Sequence, residues 1–117
     1  MILHLVTFTW KPSVTEEDVD GLTAALRAMA SAIPEVRSYV CGPNLRLRPG
    51  ADYAVAAVVD DEAGLAAYLD SAAHQQTYTD WFSWMIESRE AAQLPVERAV
   101  LTSPGPTGAE ALTSEVG

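Results

Sequence analysis

The chain has 117 residues, 49% of them hydrophobic and 20% charged, with a net charge of −9. That length suits one domain with a real core, and the acidity argues against nucleic acid and anionic membrane surfaces, whose phosphates call for basic patches. No apolar run is long enough to span a bilayer, and Met1-Ile2-Leu3-His4-Leu5-Val6 has neither a basic leader nor a cleavage pattern, so neither a membrane span nor a signal peptide is expected. Cys41, the single cysteine, cannot close an internal disulfide. It predicts an inert buried thiol and a cytoplasmic location.

Residues 2–10 alternate as a strand, with Ile2, His4, Val6, Phe8 and Trp10 on one face and Leu3, Leu5, Thr7 and Thr9 on the other. Lys11-Pro12-Ser13 ends it. Thr15 caps a helix over 16–32, with Glu16, Glu17 and Asp18 at its positive end. Val19, Leu22, Leu26, Met29 and Ile33 form its apolar stripe, and Pro34 stops it. Residues 36–42 and 52–59 read as the second and third strands, separated by Gly42-Pro43-Asn44 and a loop to Pro49-Gly50. A short helix over 61–70 follows, then a second from about 72 to 89 carrying Tyr78, Trp81, Phe82, Met85 and Ile86. A last strand is expected over 96–102. Residues 1–102 thus form the domain, and 103–117, rich in proline and glycine, form a flexible tail.

This order, β-α-β-β-α-α-β, predicts an α+β sandwich of the split βαβ kind: a four-stranded antiparallel sheet with helices on one face. Strands one and three are apolar on both faces. A second copy joined sheet to sheet is the expected cover, so the chain is expected to be a homodimer.

The opening strand with His4, the helix ending in Ile33-Pro34-Glu35-Val36, the Gly42-Pro43-Asn44 turn, Asp52-Tyr53, and Tyr68 with His74 occur here in a characteristic order. In these features the chain resembles the stress-responsive dimeric α+β barrel (Dabb) family over about residues 1–102. The resemblance implies the ferredoxin-like dimeric barrel fold. Within the family the chain is similar to polyketide cyclases of the olivetolic acid type, which close a ring by aldol chemistry with a tyrosine and a histidine six residues apart. Tyr68 and His74 have that spacing, and His4 matches a histidine lining the cyclase pocket. Val55 stands where the cyclase has a second pocket histidine, and Leu26 where it has a tyrosine. Ser71-Ala72-Ala73-His74 replaces a His-Pro-x-His run.

Six residues along an unbroken helix is about 600°, which leaves two side chains about 120° apart. Tyr68 and His74 can face one point only if the helix breaks between them, and Asp70-Ser71 supplies a break. Ser71 then caps the next helix and places His74 in its first turn, where burial and the positive helix end both favour neutral imidazole. His74 is then a candidate general base and Tyr68 a donor to a developing oxyanion, with His4 orienting the substrate. Phe8, Leu26, Val55, Tyr78 and Trp81 are the remaining candidate substrate-binding residues. Each has a structural alternative: Tyr68 as core, His74 bonded to a neighbouring carbonyl, His4 as a satisfied core histidine.

The glycines form no phosphate cradle, no nucleophile elbow is present, and two histidines without an ordered acidic set argue against a metal. The leading expectation is a cofactor-independent enzyme acting on a polyketide-like, enolisable small molecule, with ring closure as its reaction. The alternatives are a cofactor-free monooxygenase of the same barrel type and a non-catalytic stress-linked binding or oligomer-forming protein.

Overall fold

The computed structural model describes residues 1–97. Its elements are β1 (Ile2–Trp10), α1 (Glu16–Ala32), β2 (Ser38–Pro43), β3 (Tyr53–Val59), α2 (Glu62–Asp70), α3 (Ala72–Thr77) and β4 (Ile86–Pro95). Between α3 and β4 the chain makes a π-helical turn, Tyr78–Phe82, and one more turn, Ser83–Met85. The strands form one antiparallel sheet in the order β2-β3-β1-β4.

Helix α1 begins and ends as its residues dictate. The Thr15 hydroxyl accepts from the Asp18 amide at 3.1 Å, and the Asp18 carboxylate accepts from the Thr15 amide at 3.0 Å, a reciprocal capping box. The helix stops at Ile33, which is extended (φ −107°, ψ 109°) because Pro34 disfavours helical geometry in the residue before it. Leu22, Leu26, Met29 and Ile33 are buried against Val6, Phe8, Tyr53, Val55 and Ala57 of the sheet. Burying each large side chain of this set contributes about 1.5–3 kcal/mol relative to exposure.

The C-terminal third departs from the expected boundaries. The helix expected to reach residue 89 ends at Met85, and Ile86–Pro95, expected as helix and loop, forms the fourth strand. Val96 and Glu97 follow that strand, and 98–102, like the expected tail 103–117, lie outside the described residues. The reason is tertiary. Glu87, Arg89, Glu90, Ala91, Ala92 and Gln93 favour helix locally, but β1 has a second edge to pair, and β4 fills it from Ile2↔Pro95 to Trp10↔Ile86. The ladder bonds gained there outweigh propensity, which is a weak prior.

Register decides which face each strand residue occupies. His4, Val6 and Phe8 pair with Ala57, Val55 and Tyr53 on one side and with Gln93, Ala91 and Arg89 on the other. Tyr39 and Cys41 of β2 join this set opposite Ala57 and Val55. All of these residues face the helices. The helices cover this face over β1, β2 and β3 but leave β4 exposed along most of its length.

Candidate functional site

Helix α2 ends where the sequence predicts a break. Ser71 is extended (φ −61°, ψ 147°). Its hydroxyl donates to the Tyr68 carbonyl at 2.9 Å and accepts from the His74 amide at 3.1 Å. One serine therefore closes α2 and opens α3, and it turns His74 back toward Tyr68. The two rings meet edge to face, with centroids 5.0 Å apart. His4, rising from β1, meets the same phenol ring at 6.3 Å. Three side chains from β1, α2 and α3 thus converge.

They line a small, partly open cavity of about 50 Å³. Its apolar wall includes Val6, Phe8, Leu26, Val55, Leu69 and Phe82, and its polar lining is His4, Tyr39, Tyr68, His74, Tyr78 and Arg89. A cleft of about 450 Å³ adjoins it, sharing His4, Val6, Leu69, His74, Tyr78 and Arg89 and adding Asp70, Gln75 and Ala91. The uncovered stretch of β4 forms one wall of this cleft. A π-helical turn contributes Tyr78 and Phe82, and such turns often re-aim side chains at functional sites.

The electrostatics favour neutral groups that can exchange protons. Burial, the nearby His4 and Arg89 hold His74 below its ordinary value, against a smaller opposing pull from Asp70. Burial and Arg89 likewise lower His4. The Gln93 amide nitrogen lies 3.0 Å from His4 Nδ1 and can only donate, so this contact puts the His4 proton on Nε2. Burial raises the Tyr68 phenol, partly offset by Tyr39. Burial and Tyr68 raise the Tyr39 phenol further. Near neutral pH Tyr39 and Tyr68 therefore keep their phenol protons, and His4 and His74 are neutral imidazoles.

Two buried side-chain polar atoms among the described residues have no hydrogen-bond partner, the Tyr39 hydroxyl and His74 Nδ1. Both belong to residues lining this cavity. Leaving such an atom unsatisfied costs about 1–3 kcal/mol. A cleft of about 530 Å³ at the far end of β1 is larger, and its lining includes Lys11, Asp20, Arg46 and Asp52. Its central ionic groups are already committed, however: Asp52 pairs with Arg46 and accepts from the Trp10 amide at 2.7 Å.

The profile of the stress responsive A/B barrel domain, Dabb, matches residues 2–96. The chain belongs to this family. An uncharacterized protein of Streptomyces coelicolor is 34% identical over 96 residues, spanning 77% of this chain and 99% of its own. Among solved structures, a dimeric ferredoxin-like protein of unknown function from Thermobifida fusca is 34% identical. It superposes with a TM-score of 0.76 over 81% of this chain and 90% of its own. A hydroxynitrile lyase from Passiflora edulis shares the fold at 15% identity, with a TM-score of 0.71 over 83% of this chain and 94% of its own.

Within this Dabb chain the expected site residues fall into two groups. His4, Phe8, Leu26, Val55, Tyr68, His74 and Tyr78 line the inner cavity. Trp81 does not line it. Its ring lies over α1, where a Cβ on Gly21 would come within 2.5 Å of it, and it packs 6.1 Å from the Trp84 ring. Tyr78–Phe82 is a five-residue π-helical turn, and its wider winding spoils the simple helical face that groups Trp81 with them in the sequence. Sequence reasoning missed Tyr39, Arg89 and Gln93. Tyr39 could have been found from its alternation with Cys41 along β2. Arg89 and Gln93 were hidden because their segment reads as helix.

Proposed function

We propose that this protein is a cofactor-independent enzyme that removes and returns a proton beside a carbonyl group of a small molecule. The most specific form of the proposal is aldol-type ring closure of a linear polyketide-like substrate. The carrying observation is the coincidence of both unpartnered buried polar atoms, the Tyr39 hydroxyl and His74 Nδ1, at one cavity. His74 is the general base, since its lowered pKa keeps a lone pair available at neutral pH. Tyr68 and Tyr39 are the oxyanion donors, since raised phenols keep their protons and can hydrogen-bond a developing enolate. His4, fixed by Gln93, orients the substrate. The 34%-identical dimeric relative and the apolar outer face of the sheet support a homodimer joined through that face.

The test follows deuterium uptake at the carbon between the carbonyls of a linear 1,3-diketone, and then closure of a linear polyketide thioester. His74→Ala and Tyr68→Phe are each expected to slow both reactions by about 10²-fold or more. Catalysis that survives both substitutions overturns the assignment. Oxygen consumption coupled to turnover would transfer the same cavity to a cofactor-free oxidation.

A further inference from the structure

Among the described residues, Arg89 is the one cationic side chain lining either the inner cavity or the adjoining cleft. It stands on β4 opposite Phe8 of β1, on the helix side of the sheet. The ion pairs among the described residues are Arg37–Asp60 and Arg46–Asp52, so Arg89 is in neither, and its guanidinium makes no hydrogen bond with a described residue. The acid that shares its cleft, Asp70, ends α2 and is not paired with it. It lines both spaces together with His4 and His74, and its charge disfavours their protonated forms. With both imidazoles neutral, the site holds a local positive charge inside a molecule whose net charge is −9.

We propose that the ligand of this site carries a carboxylate. The Arg89 guanidinium binds it where the cavity meets the cleft, and the apolar, enolisable remainder points inward to Tyr68 and His74. This rests on reading the cavity as a small-molecule acid–base site. A planar guanidinium offers a two-pronged fork that matches a carboxylate. A phosphate is a poorer fit, because its second charge would find no second cation lining the cleft and would face Asp70. The overall acidity of the protein repels anions at long range, so a preference for an acid over its neutral analogue must arise locally.

The experiment titrates the full chain with benzoylpropionate, an enolisable ketone ending in a carboxylate, and with γ-hydroxybutyrophenone, which replaces the carboxylate by an alcohol. Binding is read from the ring signals of His4 and His74 by NMR. The acid is expected to bind about tenfold or more tighter than the alcohol. Arg89→Met should bring the acid-to-alcohol affinity ratio to about one, and Arg89→Lys should keep part of the preference. Backbone amide dispersion in each variant verifies folding. Equal affinities in the wild-type protein, or a preference that survives Arg89→Met, overturns the carboxylate assignment while the site reading stands. If neither compound perturbs the two histidines, the site reading falls and this proposal falls with it.

Discussion

The polar character of the cavity comes from single side chains set among apolar walls. His4 and His74 lie among apolar walls beside a guanidinium, and both are held below the ordinary value of 6.5. The sign of the stability effect follows. Below pH 6.5 the unfolded chain binds protons that the folded histidines refuse, so the unfolded state gains. Stability contributed by these two groups is fully present above pH 6.5 and is lost as pH falls toward their folded values. Urea melts from pH 7.5 to 5 should show this decline, and His4→Asn should flatten it; a flat wild-type profile would contradict the placement. The tyrosines offer a second contrast. Tyr53 Oη and Thr23 Oγ1 are hydrogen-bonded at 2.8 Å, whereas the Tyr39 hydroxyl has no partner. Tyr53→Phe is therefore expected to cost about 0.5–1.5 kcal/mol, and Tyr39→Phe to be neutral or stabilising. Thermal unfolding measures both, and a costly Tyr39→Phe would mean that its hydroxyl is satisfied. His4, Tyr68 and His74 were legible in the sequence because few residue types bring proton chemistry to neutral pH. Tyr39 was not, because only register shows which strand residues share a wall with a residue on another element.

At the scale of elements, the site depends on how α2 stops. Without a break, Tyr68 and His74 would diverge around one helix; Ser71 both terminates α2 and caps α3. Ser71→Ala removes a hydroxyl that bonds the Tyr68 carbonyl and the His74 amide. It is expected to cost about 1 kcal/mol and to loosen His74, seen as a lower melting temperature together with a changed His74 ring shift. Lost stability with an unmoved ring would show that the serine caps but does not aim. This break could be read in advance, since six residues and a 3.6-residue period give the mismatch directly. The opposite holds for β4. Its residues Glu87 to Gln93 are good helix formers, and nothing local reveals that β1 has an unpaired edge. The same misreading concealed Arg89 and Gln93. Helix α1 was legible to the residue because its cap, its apolar stripe and Pro34 all agree.

At the scale of the whole molecule, one face of the sheet is left uncovered by the helices of the described residues. Leu3, Leu5, Ala54, Ala56, Ala92 and Leu94 lie on that side of the sheet with Val40, and Val40 is 67% and Leu94 49% exposed. An apolar face drawn from all four strands is unusual for a monomer, and a two-fold pairing through it would be self-complementary. Charge opposes that pairing. Each copy carries −9, so a dimer carries twice that, −18, and repulsion between the halves is screened as salt rises. The proposed dimer should therefore tighten with salt, as expected for an apolar interface working against like charge, while an interface held by ion pairs would weaken. Val40→Asp puts a new charge on the most exposed large apolar residue of this face and should shift the protein to monomer. Light scattering coupled to size exclusion, run at low and high salt, reads both effects. A Val40→Asp variant that stays dimeric would place the interface elsewhere, and a dimer that dissociates as salt rises would make it ionic. The groups assigned to proton transfer lie on the opposite, helix-covered side, so a monomeric Val40→Asp protein that keeps wild-type His4 and His74 ring shifts would show that assembly and the cavity are built on separate faces of one sheet.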